Sequence, residues 1–189
     1  WEERTCPTYP VKPADYPEVL NPMSQEPIPW KLMKIWALEA GGADQPGLLW
    51  CGTIPGGLFR SRDNGLSWEL VRGLWDHPGR AKWFGGGAEW PAIHTVCVDP
   101  RDSAHVIIAV SCGGVWETHD TGETWACIGS GIFAEFMPPD QMFDPGIQDP
   151  HRIAMCPESP DALWMQHHNG IFKSIDGGQN WTHITTANP

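Results

Sequence analysis

Short stretches in which apolar and polar residues alternate recur along the chain, and turns rich in Gly, Pro and Asp separate them. This period of two is typical of half-buried β-strands. It predicts four strands in each of three successive sets: 33–38, 48–52, 58–61 and 68–71; 94–99, 105–111, 114–118 and 124–128; and 152–155, 163–166, 171–174 and 181–185. No helix is predicted, because 31–40, the nearest candidate, aligns with the first strands of the other two sets. The pattern therefore indicates an all-β fold.

An eight-residue motif follows the third strand of each set. It reads SRDNGLSW at 61–68, THDTGETW at 118–125 and SIDGGQNW at 174–181, and its aspartates recur at intervals of 57 and 56 residues. A fixed period of this size indicates a repeat architecture with one supersecondary unit per copy. Four antiparallel strands with a Trp in every copy are typical of a β-propeller blade.

The residue types of the motif indicate a structural role. An Asp in a turn accepts hydrogen bonds from nearby backbone amides, and a Gly two positions later supplies the positive φ that the turn needs. The closing Trp is large enough to fill a gap between neighbouring sheets. We therefore predict structural roles for Asp63, Gly65, Trp68, Asp120, Gly122, Trp125, Asp176, Gly178 and Trp181.

The eight-residue motif resembles the Asp-box, or BNR repeat. Over 94–125 and 151–181 the chain is similar to bacterial BNR-repeat glycosyl hydrolases and exo-alpha-sialidase-like proteins, and the motif also occurs in propellers of the Ycf48 type. The resemblance implies a single ring of six or seven blades. It implies a fold more strongly than it implies hydrolysis, because one fold carries many functions.

Three blades do not close a ring, since propellers have four to eight. We predict one partial propeller domain over 1–189, with 1–30 as the end of a preceding blade and a Pro-rich link, and blades over 31–72, 92–129 and 150–186. Trp1 precedes an acid as Trp68 does, so we expect it to close another copy of the motif. We expect further blades of the same propeller to complete the ring; self-association of several arcs is the alternative.

Composition limits the partners. The net charge of −11 argues against nucleic acids and anionic membranes. No apolar run approaches the roughly 18 residues of a membrane-spanning helix. Six cysteines show neither a CxxC pair nor zinc-finger spacing, and several fall within strands, so we expect reduced thiols and, by default, a cytoplasmic location.

The links between strands differ most among the repeats. The blades of a propeller form a disc with two faces. If the motif joins strands three and four on one face, then the links that follow strand four emerge on the opposite face, and so do the links between strands two and three. The long links are Arg4–Trp30, Gly73–Ile93 and Gly129–His151, and the short ones are Gly52–Gly56, Ser111–Gly113 and His167–Asn169. Long loops on a rigid scaffold often carry function.

Imidazoles, carboxylates and exposed indoles around a channel suit a polar ligand with apolar faces, such as a sugar. The alternative is that the indoles only pack the second link onto its blade. The predicted ligand-binding residues are Arg80, Trp83, Trp90, His94, His151, His167 and His168.

Hydrolysis of a glycosidic bond needs two carboxylates, and we select Asp76, Glu89 and Glu135 as candidates. The arginine cluster and tyrosine nucleophile of a sialidase are not visible, because the only tyrosines lie in the first link. Four histidines at strand ends could converge on a metal. No short His spacing supports this, and hydrogen-bonded histidines are the alternative, so we predict neither a metal nor another cofactor.

Two functional classes stay open. One is a carbohydrate-active propeller that binds or hydrolyses a glycoside at the mouth of the channel. The other is a non-catalytic scaffold that binds a protein partner there.

Overall fold

A computed structural model describes residues 2–86 and 88–184. Within these ranges, twelve strands form three four-stranded antiparallel sheets, each in sequential order. The strands are β1 Lys34–Ala40, β2 Leu49–Ile54, β3 Leu58–Ser61 and β4 Glu69–Leu70; β5 Ala92–Asp99, β6 Asp102–Ser111, β7 Gly114–Thr118 and β8 Ala126–Ile128; and β9 Pro150–Cys156, β10 Ser159–His167, β11 Gly170–Ser174 and β12 Thr182–Ile184. The prediction of an all-β chain built from propeller blades is confirmed.

The prediction that the chain lacks helices is wrong in the links. A four-residue helix, α1, spans Arg72–Trp75, and 3₁₀ turns span Pro78–Lys82 and Pro145–Ile147. Each 3₁₀ turn begins with Pro, after a residue whose side chain accepts a hydrogen bond from a backbone amide two positions on. These elements are too short to show helical periodicity. No helix in the described residues is long and apolar enough to cross a membrane.

Two hydrophobic seams hold the blades together. Between the first and second blades, Trp50 packs in one cluster with Ile108 and Trp116, all fully or almost fully buried. Between the second and third blades, Ile107 packs in another cluster with Phe172. Neighbouring residues of β6 thus belong to different seams, because successive side chains of a strand point to opposite faces.

The Asp and the Gly of the eight-residue motif make the same turn in all three copies, whereas the Trp does so only in the second and third; in the first copy the Trp68 indole donates to the Thr5 carbonyl at 3.0 Å. In the second copy, Asp120 accepts hydrogen bonds from the Thr118 hydroxyl (2.7 Å), the Thr124 amide (2.9 Å) and the Thr124 hydroxyl (2.6 Å). Gly122 adopts a φ of +92°. The indole of Trp125 donates to the carbonyl of Gly122 at 3.0 Å. The motif thus closes the turn, and in the second and third copies it fixes the Trp in a seam.

The first and third blades each have an outer face, by which we mean the surface of the sheet that points away from the second blade, and these two faces differ. On the first blade, Tyr9 and Trp75 pack with Phe59 in a buried aromatic cluster. On the third, Trp164 and Ile171 are 46% and 42% exposed. The predictions for Trp1 and for the residues after Ile184 lie outside the described residues.

Candidate functional site

The long links and the short turns meet on one face of the structure, which we call the mouth face. The Phe84 amide of the second link donates to the Cys112 carbonyl of a short turn at 3.1 Å, and the Gly113 amide donates to Gln148 of the third link at 3.1 Å. On the opposite face, the turn after β1 contacts the second blade through Ser103. These contacts bear out the predicted gathering for the second and third links, whereas the first link begins at the motif turn, where Thr5 donates to the carbonyls of Gly65 and Leu66.

The first strands of the three blades, β1, β5 and β9, line a central groove of about 620 Å³. A smaller cavity of about 160 Å³ lies between Trp36, Ala88, His94, Ser111, Pro150 and His151. Trp36 lines both spaces and is 44% exposed. The groove therefore carries a half-exposed indole, and Nζ of Lys34 lies 4.6 Å from the centre of its ring.

Asp149 is the centre of a polar cluster on the mouth face. One of its oxygens, Oδ1, lies 3.1 Å from both the Ser111 hydroxyl and the Cys112 amide, which donate to it. Its other oxygen, Oδ2, lies 3.2 Å from Nε2 of His151 and 3.5 Å from Nδ1 of His168. Burial raises the pKa of Asp149, but the hydrogen bond and charge of His151 outweigh it and the net shift is downward. The carboxylate is thus an ionised acceptor beside two accessible imidazoles.

His94 and His167 are buried and engaged in internal hydrogen bonds. The His94 ring lies 2.9 Å from the Thr95 hydroxyl and 2.7 Å from the Pro150 carbonyl. The Asp149 amide donates to Nε2 of His167 at 3.0 Å. Burial lowers the pKa of both histidines to about 4, so both rings are neutral at pH 7. Of the four predicted histidines, only His151 and His168 present an exposed ring.

The expectation of exposed indoles in the second link is wrong. Trp83 is fully buried and Trp90 is 8% exposed, because the large apolar area of an indole stabilises the packing of a link onto its blade. Arg80 is also buried, with its guanidinium carbon 3.5 Å from the centre of the Trp75 ring. Burial lowers the pKa of Arg80 to about 10. The two indoles and the guanidinium therefore fix the link in place.

The three candidate catalytic carboxylates have separate surroundings. Asp76 accepts hydrogen bonds from Tyr16 (2.9 Å) and Arg72 (2.7 Å). Glu135 is exposed and accepts from the Asn169 side chain at 3.3 Å, and Glu89 is exposed in the second link. Among the described residues, no hydrogen bond joins any two of the three.

The sequence predicts that Asp149 lies in the third link, but it does not predict that Asp149 is the centre of the polar cluster. The available signal was the spacing of Asp149 and His151, because residues two apart in an extended segment point to the same side. His168 joins them through the short turn after β10, where its amide donates to the Asp149 carbonyl at 3.1 Å.

No family model matches this chain, and no curated protein matches it. Solved structures do. An ancestral GH74 enzyme is 16% identical with a TM-score of 0.58, over 83% of this chain and 19% of that one. The GH74 xyloglucanase of Xanthomonas campestris is 18% identical with a TM-score of 0.53, over 90% and 25%.

YCF48 from Cyanidioschyzon merolae is 17% identical with a TM-score of 0.50, over 82% of this chain and 38% of that one. The chain thus spans between a fifth and two fifths of the length of these similar structures. At this identity the likeness establishes the β-propeller fold and nothing about activity.

Proposed function

We propose that the central groove binds a neutral carbohydrate chain at the mouth face. The observation that carries this proposal is Trp36, whose accessible indole lines both the groove and the small cavity beside His151. Sugar rings have apolar faces that stack on aromatic side chains, while polar groups at the edge orient their hydroxyls.

A row of polar side chains at the mouth begins at His151, which lines the small cavity together with Trp36. The exposed Gln166 amide lies 3.2 Å from Nδ1 of His151, and Asp149 and His168 extend the row. Imidazoles, an amide and a carboxylate offer both donors and acceptors to sugar hydroxyls. The proposed site is therefore a stacking platform with a polar rim.

The charge of the chain favours a neutral sugar over an acidic one. The net charge is −11, Asp149 adds a negative charge at the mouth, and Arg80 is buried away from it. Two positive charges lie at the site itself, because the exposed Arg152 lines the groove and Nζ of Lys34 lies 4.6 Å from the centre of the Trp36 ring. The preference for a neutral sugar therefore rests on the net charge of the chain, which repels an acidic ligand at long range.

The binding test is a titration of the protein with a panel of neutral oligosaccharides, including xyloglucan fragments, by isothermal calorimetry. For the best ligand, Trp36→Ala should weaken binding about tenfold or more, equivalent to about 1.4 kcal/mol. Trp164→Ala is the matched control, because Trp164 is also half-exposed but lies on the outer face of the third blade. Equal affinities of both variants and the wild type would refute the role of Trp36.

Hydrolysis is a further proposal that rests on the exposed Glu89 and Glu135. Glycosidases hold their two carboxyl groups ~5 Å apart for retention or ~6.5–9.5 Å apart for inversion. If the bound sugar is cleaved, Glu89→Gln or Glu135→Gln should abolish turnover and leave the melting temperature nearly unchanged. Wild-type turnover in both variants would remove these residues from consideration.

A protein-binding scaffold is the second candidate. Two phenylalanines of the third link favour it, because Phe136 and Phe143 are 41% and 63% exposed. Their rings contact His168 and Phe133, respectively, and exposed apolar side chains on a long link can mark a protein interface. In this case no oligosaccharide would bind, and the change Phe136→Ser should weaken capture of a protein partner.

Completion of the ring is also a proposal. We propose that the exposed apolar face of the third blade, with Trp164, Ile171 and Ile184, packs against another blade, either of a longer chain or of a second copy. Light scattering of the wild type and of Trp164→Glu distinguishes these cases, because only self-association would give an oligomer that the charge disrupts.

A further inference from the structure

A second cluster of metal-binding residue types lies on the opposite face, at the seam between the second and third blades. His105 is on β6, Glu117 is on β7, and His119 follows β7 directly. In the register of this pair, Ile107 lies opposite Glu117. Residues two apart share a face of the sheet, so His105 lies opposite His119 on the same face as Glu117. In this structure the rings of His105 and His119 stack almost in parallel, with centroids 4.2 Å apart and an angle of 13° between their planes. An imidazole binds a metal in its own plane, so the ring of His119, which is 67% exposed, must turn before both histidines can bind one ion.

Two neighbouring groups orient this cluster. Nδ1 of His105 lies 3.1 Å from the Asp99 carboxylate, which favours the tautomer that leaves Nε2 without a proton. Oε1 of Glu117 accepts a hydrogen bond of 2.7 Å from Gln179 of the third blade, so Oε2 stays available. A histidine that binds a metal usually donates its other ring N–H to a carboxylate, and a carboxylate that binds a metal usually accepts a further hydrogen bond.

The buried Nε2 of His105 has no hydrogen-bond partner among the described residues. Oε2 of Glu117 lies 3.6 Å from this nitrogen and 3.4 Å from Nε2 of His119. These separations exceed the usual hydrogen-bond length of about 2.7–3.2 Å. They are close to the ~3.3 Å between two ligands of a tetrahedral Zn²⁺ with bonds of about 2.0–2.1 Å.

We propose that His105, Glu117 and His119 bind a tetrahedral transition-metal ion of the Zn²⁺ class. The three ligand atoms lie within 4.8 Å of one another. His119 is 67% exposed, so the ion can enter from solvent, and water takes the fourth position. Through Gln179 the ion connects the second blade to the third. This site is independent of carbohydrate binding at the mouth.

The cluster of Asp149, His151 and His168 also meets the geometric requirement for three ligands. There, however, Nε2 of His151 lies 3.2 Å from Asp149, within hydrogen-bond range, so an internal hydrogen bond already satisfies that nitrogen. We therefore use the cluster of Asp149, His151 and His168 as the internal control.

The test uses metal-free protein with Cys6→Ser and Cys156→Ser, since both thiols are exposed and would bind Zn²⁺ themselves. Calorimetry with Zn²⁺ and absorption spectroscopy with Co²⁺ should show one tetrahedral ion per chain. His119→Gln should weaken Zn²⁺ binding by more than the roughly 10–100-fold that loss of a supporting residue costs. His168→Gln should leave the Zn²⁺ affinity unchanged.

Because His119 is exposed, its replacement should not disturb folding, and circular dichroism without metal checks this. His105→Gln provides a second variant with the same expected loss. Zn²⁺ should also raise the melting temperature of the wild type but not that of His119→Gln. Unchanged affinity in His119→Gln, loss of affinity in His168→Gln, or no Zn²⁺ binding by the wild type would each overturn the proposal.

Discussion

Replacement of Asp120 tests whether the eight-residue motif is structural. Asp120→Ala removes three hydrogen bonds, to the Thr118 hydroxyl and to the amide and hydroxyl of Thr124. The net contribution of one hydrogen bond to the free energy of unfolding is about 0.5–1.5 kcal/mol. Because Asp120 is exposed to solvent, we expect each of its hydrogen bonds to lie toward the lower end of this range. We expect a loss of about 2 kcal/mol in the free energy of unfolding, or about 4–8 °C in melting temperature for a chain of this size.

Urea unfolding and thermal melts, both followed by circular dichroism, measure this loss. Asp140→Ala is the matched control, because Asp140 is also an exposed aspartate but lies in the third link. An exposed substitution without a special role changes stability by about 0.5 kcal/mol or less. Equal stability of the two variants would refute the structural role of the motif.

The pH dependence of the same contact provides an independent check. Burial raises the pKa of Asp120, but the hydrogen bonds from Thr124 and Thr118 together outweigh it and lower the pKa to about 2. The folded state therefore binds the proton less readily than the unfolded state does. The contribution of Asp120 should be complete above about pH 4 and should disappear as the pH falls toward 2. Asp120→Ala should be less sensitive to acid than the wild type in this range.

Three further predictions follow from burial. Burial lowers the pKa of His94 to about 4, so stability should fall between about pH 6.5 and 4, and His94→Gln should flatten this slope in urea titrations. Trp50→Ala should cost about 3–5 kcal/mol, because Trp50 is fully buried in the first seam; a loss below 1 kcal/mol in urea unfolding would contradict the seam. Burial raises the pKa of Cys51 to about 12, so a thiol reagent should label Cys6 and Cys156 in the folded protein but spare Cys51.

The blades could be predicted from the sequence because their signals are local. The alternation of β6 and the turn residues of the motif occupy contiguous positions, and both kinds of signal survive without tertiary information. The same reasoning placed the long links on one face, because the order of strands in a blade fixes where each link leaves.

The candidate sites could be predicted only in part, because they depend on contacts between distant segments. Trp83 has no periodic context, so the sequence could not distinguish a buried indole from an exposed one. The approach of His105 and His119 depends on the register between β6 and β7, and the support of Glu117 by Gln179 depends on how two blades meet. Neither relation has a signal within a single segment.

Hydrogen exchange of the protein, with and without a saturating neutral oligosaccharide from the panel, tests the location of the site most directly. Our account predicts protection of β1 around Trp36 and of the segments around Asp149 and His168, with no change in the three motif turns. Protection confined to the motif turns, or to the outer face of the third blade, would contradict a binding site at the mouth of the groove.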